Sequence, residues 1–265
     1  MSYRIYQVDA FTSRVFRGNP AAVCIFDQWI SESVMQQIAE ENNLSETAFV
    51  VPVEGDFEIR WFTPVAEVDL CGHATLAAAH VLFNHTGIDS DRVLFHSRHS
   101  GVLPVERKED LLILDFPLDT LEEVKAPKEI ANALKRSPLK AFKGRSDYMF
   151  IYASQTEIEN MKPDFELLKK TGARGVIVTS LGNRVHFVSR FFAPAVGINE
   201  DPVTGSAHTT LAAYWSRVLG KRKLKARQLS ARGGELNCEV LGERVKISGK
   251  AVTYMEGEIL APIWD

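Results

Sequence analysis

Residues 190–215 read RFFAPAVGINEDPVTGSAHTTLAAYW. This is the end of a strand, then a polar turn rich in Gly and Pro, then the first turns of a helix built from small residues. Residues 60–82, RWFTPVAEVDLCGHATLAAAHVL, read the same way. Arg60, Phe62 and Pro64 recur as Arg190, Phe192 and Pro194, 130 residues later. Gly72 and Ala74 recur as Gly205 and Ala207, 133 residues later. A solenoid repeat would return every ~20–50 residues. A period near half of a 265-residue chain points instead to an internal duplication. The expectation is two related domains facing each other across a pseudo-two-fold axis, each offering one strand–turn–helix corner.

Working outward, the elements fall into an α+β pattern. In the first half, strands are expected over residues 3–11, 21–26, 44–51, 57–61, 92–97, 102–106 and 111–116. Helices are expected from the Ser31 cap to about Glu41 and over 72–83. In the second half, strands are expected over 148–153, 175–179, 184–192, 236–241, 244–248 and 251–260, and helices over 128–135, 164–170 and 205–219. Strands of antiparallel type around two Ala-rich helices argue against βαβ winding. Ala74, Ala77, Ala78 and Val81 form one small-residue stripe. Ala207, Leu211, Ala212 and Tyr214 form another. Such stripes let a helix run inside a curled sheet. The domains are drawn at 1–117 and 118–250, with a C-terminal strand near 251–265 returning to the first.

Composition removes several function classes. A hydrophobic content of 45% with 25% charged residues is that of a globular protein. A net charge of −3 leaves no general field for nucleic acid or anionic membrane. No apolar run approaches the ~20 residues a membrane helix needs. Cys24, Cys71 and Cys238 are odd in number and widely spaced, so a disulfide framework is not expected and a reducing cytoplasm is. No Gly-rich phosphate loop occurs, which takes nucleotide cofactors off the list. His96 and His99 read as surface residues, and His80 and His208 as packed helix residues. The basic run KRKLKAR at 221–227 reads as a solvated stretch beside the negative end of a helix.

The chemistry is sought at the two corners. Each helix begins at a glycine after a polar turn, so free N–H groups and a partial positive charge of ~0.5 e point outward there. Two such ends at one cleft would cradle a small carboxylate. His73, Asp201 and Ser206 lie at or beside these corners, and Glu46 lies on a strand of the first half. Singly, each has an ordinary explanation: a cap, a packed histidine, a solvated charge. Their coincidence at two matching corners is the signal.

GNPAAV at 18–23, LSETAFV at 44–50, DLCGHATLAAAHVL at 69–82 and EDPVTGSAHTTLAAYW at 200–215 resemble the PhzF-like phenazine-biosynthesis family, in order and over nearly the whole chain. The resemblance implies the diaminopimelate-epimerase-like fold: two similar domains, each a sheet curled around one helix. It implies no metal, no organic cofactor and a homodimer. It implies isomerisation by proton transfer, with the family's acid/base glutamate falling on Glu46. The family's histidine falls on His73, its aspartate on Asp201, and its second-corner glycine and serine on Gly205 and Ser206. The N–H groups at Gly72 and Gly205 are then expected to hold a substrate carboxylate. Two alternatives stay open. One is a racemase or epimerase using paired thiols, for which Cys71 suits one base while the second corner offers no cysteine. The other is a carboxylate-binding module without catalysis.

Overall fold

The computed structural model describes residues 3–260. Two compact units divide the chain: Met1–Asp115 with Ser248–Asp265, and Phe116–Ile247. No helix among the described residues is long and apolar enough to cross a membrane.

The first unit contains β1 (Tyr3–Ala10), β2 (Asn19–Ile25), α1 (Glu32–Asn42), β3 (Glu46–Val53), β4 (Asp56–Phe62), β5 (Glu67–Val68), α2 (Gly72–His85), β6 (Arg92–Ser97), β7 (Gly101–Lys108) and most of β8 (Leu111–Pro117). The second contains β9 (Glu122–Val124), α3 (Lys128–Ala133), β10 (Lys140–Lys143), β11 (Tyr148–Ile151), α4 (Gln155–Glu159), α5 (Phe165–Lys170), β12 (Val176–Leu181), β13 (Phe187–Ala193), β14 (Ile198–Asp201), α6 (Gly205–Leu219), β15 (Lys223–Gln228), β16 (Gly234–Leu241) and most of β17 (Arg244–Gly249). The C-terminal strand β18 (Ala251–Ile259) pairs antiparallel with β1, the first strand of the chain. Residues 261–265, included in the strand expected at the C-terminus, lie outside the described residues.

The duplication is written in the strand pairings. β1–β2 is antiparallel, and so is β10–β11. β2–β3 is parallel, as is β11–β12. β3–β4 and β4–β5 are antiparallel, as are β12–β13 and β13–β14. β4–β6 is parallel, as is β13–β15, and β6–β7 and β15–β16 are both antiparallel. β9 stands beside β10 as β18 stands beside β1.

These pairings correct one expectation. The parallel pairs β2–β3, β4–β6, β11–β12 and β13–β15 are each bridged by helix, so βαβ connections do occur within the mixed sheets. The physical sign lies in the central strands. β2 and β3 are buried almost continuously, as strands covered on both faces are.

Each unit owes that double covering to an inner and an outer helix layer. α2 is buried without a break over His73–Ala79 and again at Val81–Phe83, and it packs against β1, β2, β3 and β18. A helix buried on all sides belongs inside a curled sheet, and its alanines let the strands approach. α6 buries Ala207, His208 and Thr210–Ala213 and packs against β15 and β16. Outside, Met35 and Ala39 of α1 join Phe26, Phe49 and Phe62 in one apolar cluster. Ile130, Ile158 and Leu168 of α3–α5 join Phe150 and Phe192 in another. α1 starts where Ser31 Oγ accepts from Val34 N–H and stops at Asn43, whose φ of 48° is left-handed.

The basic run is also corrected. Lys223–Gln228 is a strand that alternates strictly, with Leu224, Ala226 and Gln228 inward and the basic residues outward. Those basic side chains stand opposite Glu235, Asn237 and Glu239 of β16, and Lys223 pairs with Glu239 at 3.4 Å. The basic side chains are exposed, as the solvated reading expects, but they stand on a strand.

Candidate functional site

Two corners share a frame. In the first unit, Arg60 Nε and Nη2 donate to the two oxygens of Glu67 at 2.7 and 2.6 Å, and its guanidinium lies over the Phe62 ring. In the second, Arg190 Nε and Nη2 donate to Glu200 at 2.7 and 2.8 Å, over Phe192. Beyond the proline, the second copy makes a 3₁₀ turn at Pro194–Val196, closed by left-handed Gly197. That turn accounts for the change of repeat spacing from 130 to 133. Ser100 Oγ donates to the Asp69 carbonyl in the first corner, and Ser230 Oγ donates to the Pro202 carbonyl in the second. Each Arg–Glu fork pins the strand end, and each serine pins the turn, so the helix start is fixed in direction.

Both starts lack a side-chain cap. Cys71 is the N-cap of α2 and Thr204 that of α6, and neither side chain accepts from the first turn. Gly72 and Gly205 are the first helical residues. Uncapped N–H groups of this kind are a ready anion site.

In the first unit, polar side chains gather behind that start. His73 is buried, and its Nδ1 lies 3.2 Å from Asn19 Nδ2 and 3.4 Å from Cys71 Sγ. Its Nε2 lies 3.3 Å from Glu46 Oε2. Burial pushes the His73 pKa down to about 3, so the imidazole is neutral at pH 7. The Asn19 amide N–H donates to Nδ1, which leaves the ring proton on Nε2; the 3.3 Å approach to Glu46 Oε2 does not have hydrogen-bond geometry. Glu46 is the first residue of β3 and sits beside Ala21 of β2 in the parallel register. Its side chain keeps 14% of its surface exposed, while its Oε2 is buried against His73. Asn19 is placed by the turn before it. Gly18 has φ +67°, and a Cβ there would stand 2.1 Å from the Ala10 carbonyl oxygen, so only glycine fits.

In the second unit, Asp201 ends β14 and is held rather than free. Thr204 Oγ1 donates to Asp201 Oδ2. Gln228, fully buried on β15, donates from Nε2 to the Asp201 carbonyl at 2.8 Å and to Thr204 Oγ1 at 3.1 Å. Its Oε1 accepts from Thr204 N–H at 2.9 Å. His208 Nδ1–H donates to the Thr204 carbonyl at 2.7 Å. Ser206 is exposed on the first turn of α6.

The structure therefore groups Glu46, Gly72 and His73 in one unit and Asp201, Gly205 and Ser206 in the other. Sequence reasoning passed over Asn19, Thr204 and Gln228 and considered Cys71 only as one base of a paired-thiol alternative. Asn19 lay within the GNPAAV motif. Gln228 directly follows the basic run, and nothing local to it signalled a function.

A family model described as phenazine biosynthesis-like protein matches residues 8–257. A Pseudomonas aeruginosa protein named as an uncharacterized isomerase is 51% identical over 259 residues, covering 98% of this chain and 99% of its own. The crystal structure of a PhzF-family phenazine biosynthesis protein from Enterococcus faecalis matches with a TM-score of 0.96 at 47% identity, covering 98% of this chain and 100% of its own. A hydroxyproline epimerase from Agrobacterium vitis, at 11% identity, matches with a TM-score of 0.64 over 97% of this chain and 92% of its own, a likeness of fold. The epimerase-type architecture expected from the sequence is thus the one observed.

Proposed function

The chain belongs to the phenazine biosynthesis-like protein family, PhzF included, and from that premise we propose that it is an isomerase that moves a proton between carbon atoms of a small unsaturated or cyclic acid, using Glu46 as the acid/base and neither a metal nor an organic cofactor for the chemistry. The observation that carries this reading is the 3.3 Å approach of a neutral, buried His73 to the Glu46 carboxylate. Glu46 takes a proton from one carbon, becomes a carboxylic acid, and returns the proton to a second carbon on the same face. His73 stands against it as a neutral imidazole, with Nε2 3.3 Å from Oε2. The uncapped N–H groups at Gly72 receive the substrate's carboxylate. In the second unit, taken by itself, Gly205 and Ser206 offer a matching set of donors at an uncapped helix start, and Asp201, held by Thr204, is a fixed acceptor. One positioned base contributes ~10²–10⁴ in rate, and each preorganised donor ~10²–10³. A homodimer belongs to the same proposal, with a solution mass of twice the 29.6 kDa chain expected by light scattering.

The test is deuterium incorporation from D₂O into a panel of small unsaturated and cyclic acids, read by mass spectrometry. The Glu46→Gln variant should lose ~10²–10⁴ of the exchange rate. Exchange at the wild-type rate in that variant would remove Glu46 from the chemistry.

A further inference from the structure

We propose that Glu46, Cys71 and His73 form a binding site for one zinc-class divalent cation, and that the ion, by occupying the acid/base carboxylate, shuts the site reversibly. Cys71 Sγ, one His73 ring nitrogen and one Glu46 carboxylate oxygen lie within 4.8 Å of one another. The Cys71 Sγ to His73 Nδ1 separation of 3.4 Å is already close to that of two ligands on one tetrahedral zinc. With Zn–S of ~2.3 Å and Zn–N of ~2.0 Å that separation is roughly 3.5 Å. An ion on Nδ1 displaces the Asn19 amide from that nitrogen, Glu46, whose Oε2 lies 3.3 Å from Nε2, turns to supply the oxygen donor, and solvent fills the fourth position.

Charge supports the same assignment. A buried cation must be neutralised locally. A dication held by one thiolate and one carboxylate carries no net charge, and the neutral imidazole adds none. The donors are mixed sulfur and nitrogen with a single oxygen, which selects zinc over magnesium or calcium. On binding, the Cys71 thiol proton leaves to solvent as the metal–sulfur bond forms, so affinity rises with pH. Cys24 and Cys238 are buried as well, but among the described residues neither belongs to such a group of donors.

The site itself stands on the geometry alone. Only its inhibitory consequence rests on Glu46 being the base. The test therefore reads binding without turnover. The full-length protein, reduced and freed of metal with a chelator, is titrated with cobalt(II). One equivalent should produce a thiolate-to-cobalt charge-transfer band together with the visible bands of a tetrahedral ion, and one equivalent of zinc should abolish both. Cys71→Ser should lose the charge-transfer band, and Cys24→Ser and Cys238→Ser should keep it. Glu46→Gln and His73→Gln should each weaken zinc binding by at least the ~10–100-fold typical of perturbed metal sites, with circular dichroism showing a folded chain. No band in the wild type, or a band that survives Cys71→Ser, overturns the site. A band that is present while zinc leaves deuterium exchange untouched overturns the inhibition and keeps the site. Loss of exchange in Glu46→Gln without metal reports on the base separately.

Discussion

The two corners were built on one plan and put to different use. Each has an Arg–Glu fork over a phenylalanine, a serine hydroxyl on the turn carbonyl, and an uncapped helix start. Behind the first start stand an imidazole, a carboxylate and a thiol, with separations of 3.3 and 3.4 Å. Behind the second, Thr204 stands where Cys71 does, Ser206 where His73 does, and the hydrogen bonds close on themselves through Gln228. The register shows which residue of the second unit occupies the position of Glu46. Glu46 precedes Thr47, which pairs with Phe62; Gly175 precedes Val176, which pairs with Phe192. A Cβ at Gly175 would stand 2.3 Å from the Phe191 ring and 2.6 Å from Asp147 Oδ1, so a side chain there would have to displace them. Thr204 likewise denies the second corner the thiol that a paired-cysteine epimerase needs. Duplication kept the frame and freed the side chains on it: one corner sets an imidazole beside a carboxylate and a thiol, the other closes its hydrogen bonds on itself.

The largest effect expected of this comparison lies in the frame. Arg190 donates not only to Glu200 but from Nη1 to the carbonyls of Ile158 and Met161 at 3.1 and 2.7 Å. Arg60 has, beyond Glu67, the exposed carboxylate of Glu32 at 2.7 Å. Removing Arg190 strands two main-chain acceptors as well as a half-buried carboxylate, whereas Glu32 simply returns to water. Arg190→Met should cost about 3 kcal/mol and Arg60→Met about 2 kcal/mol of unfolding free energy. Urea denaturation of the two variants checks this. Equal losses, or the reverse order, would show that the second corner is not the more tightly held.

The next effect separates a locked turn from an open one. Gln228→Leu removes three hydrogen bonds from a fully buried network and should cost about 2–3 kcal/mol. Ser100→Ala removes one exposed bond from the first corner and should cost less than about 1 kcal/mol. If the Leu variant unfolds at the same denaturant concentration as the wild type, the network is not what fixes Asp201.

Much of this comparison could be read before any coordinates. The Arg–x–Phe–x–Pro repeat, the glycine at each helix start and the stripes of alanine are local patterns, and each dictates a local structure. The three-residue change of spacing was visible too, though not its cause, the 3₁₀ turn at Pro194–Val196. Harder to read were features in which distant segments decide. Parallel pairing of β2 with β3 depends on covering both faces, which a single strand's sequence only hints at. In β15, lysines on the outer face mask an inner face of Leu224, Ala226 and Gln228. Gln228 becomes a structural residue only because Asp201 and Thr204 arrive beside it. The grouping of Glu46 with His73 came from family resemblance and from no spacing rule, because a strand start and a helix start meet there through the whole curl of the sheet.

The smallest expected effect is shared by both inner helices and sharpens the comparison by asking whether they bury charge-sensitive groups alike. Burial pushes His73 down to about 3. It pushes His208 down to about 4, against the opposing bond to the Thr204 carbonyl. Unfolded, each returns to ~6.5. A depressed folded value means that the unfolded chain binds the extra proton. Stability is therefore complete above about pH 6.5 and is lost as pH falls toward 4, at about 1.4 kcal/mol per pH unit for each histidine. Lowering the pH from 7.5 to 5.5 should cost about 1.4 kcal/mol per group. His208→Gln and His73→Gln should each remove one such share from the pH dependence of unfolding, whatever they cost at neutral pH. His80, pushed down to about 4 by burial and then by His85, should leave a residual slope in the double variant. A slope unchanged by His208→Gln would mean that the second helix does not keep its histidine neutral. The likeness between the two helices would then stop at their first turns.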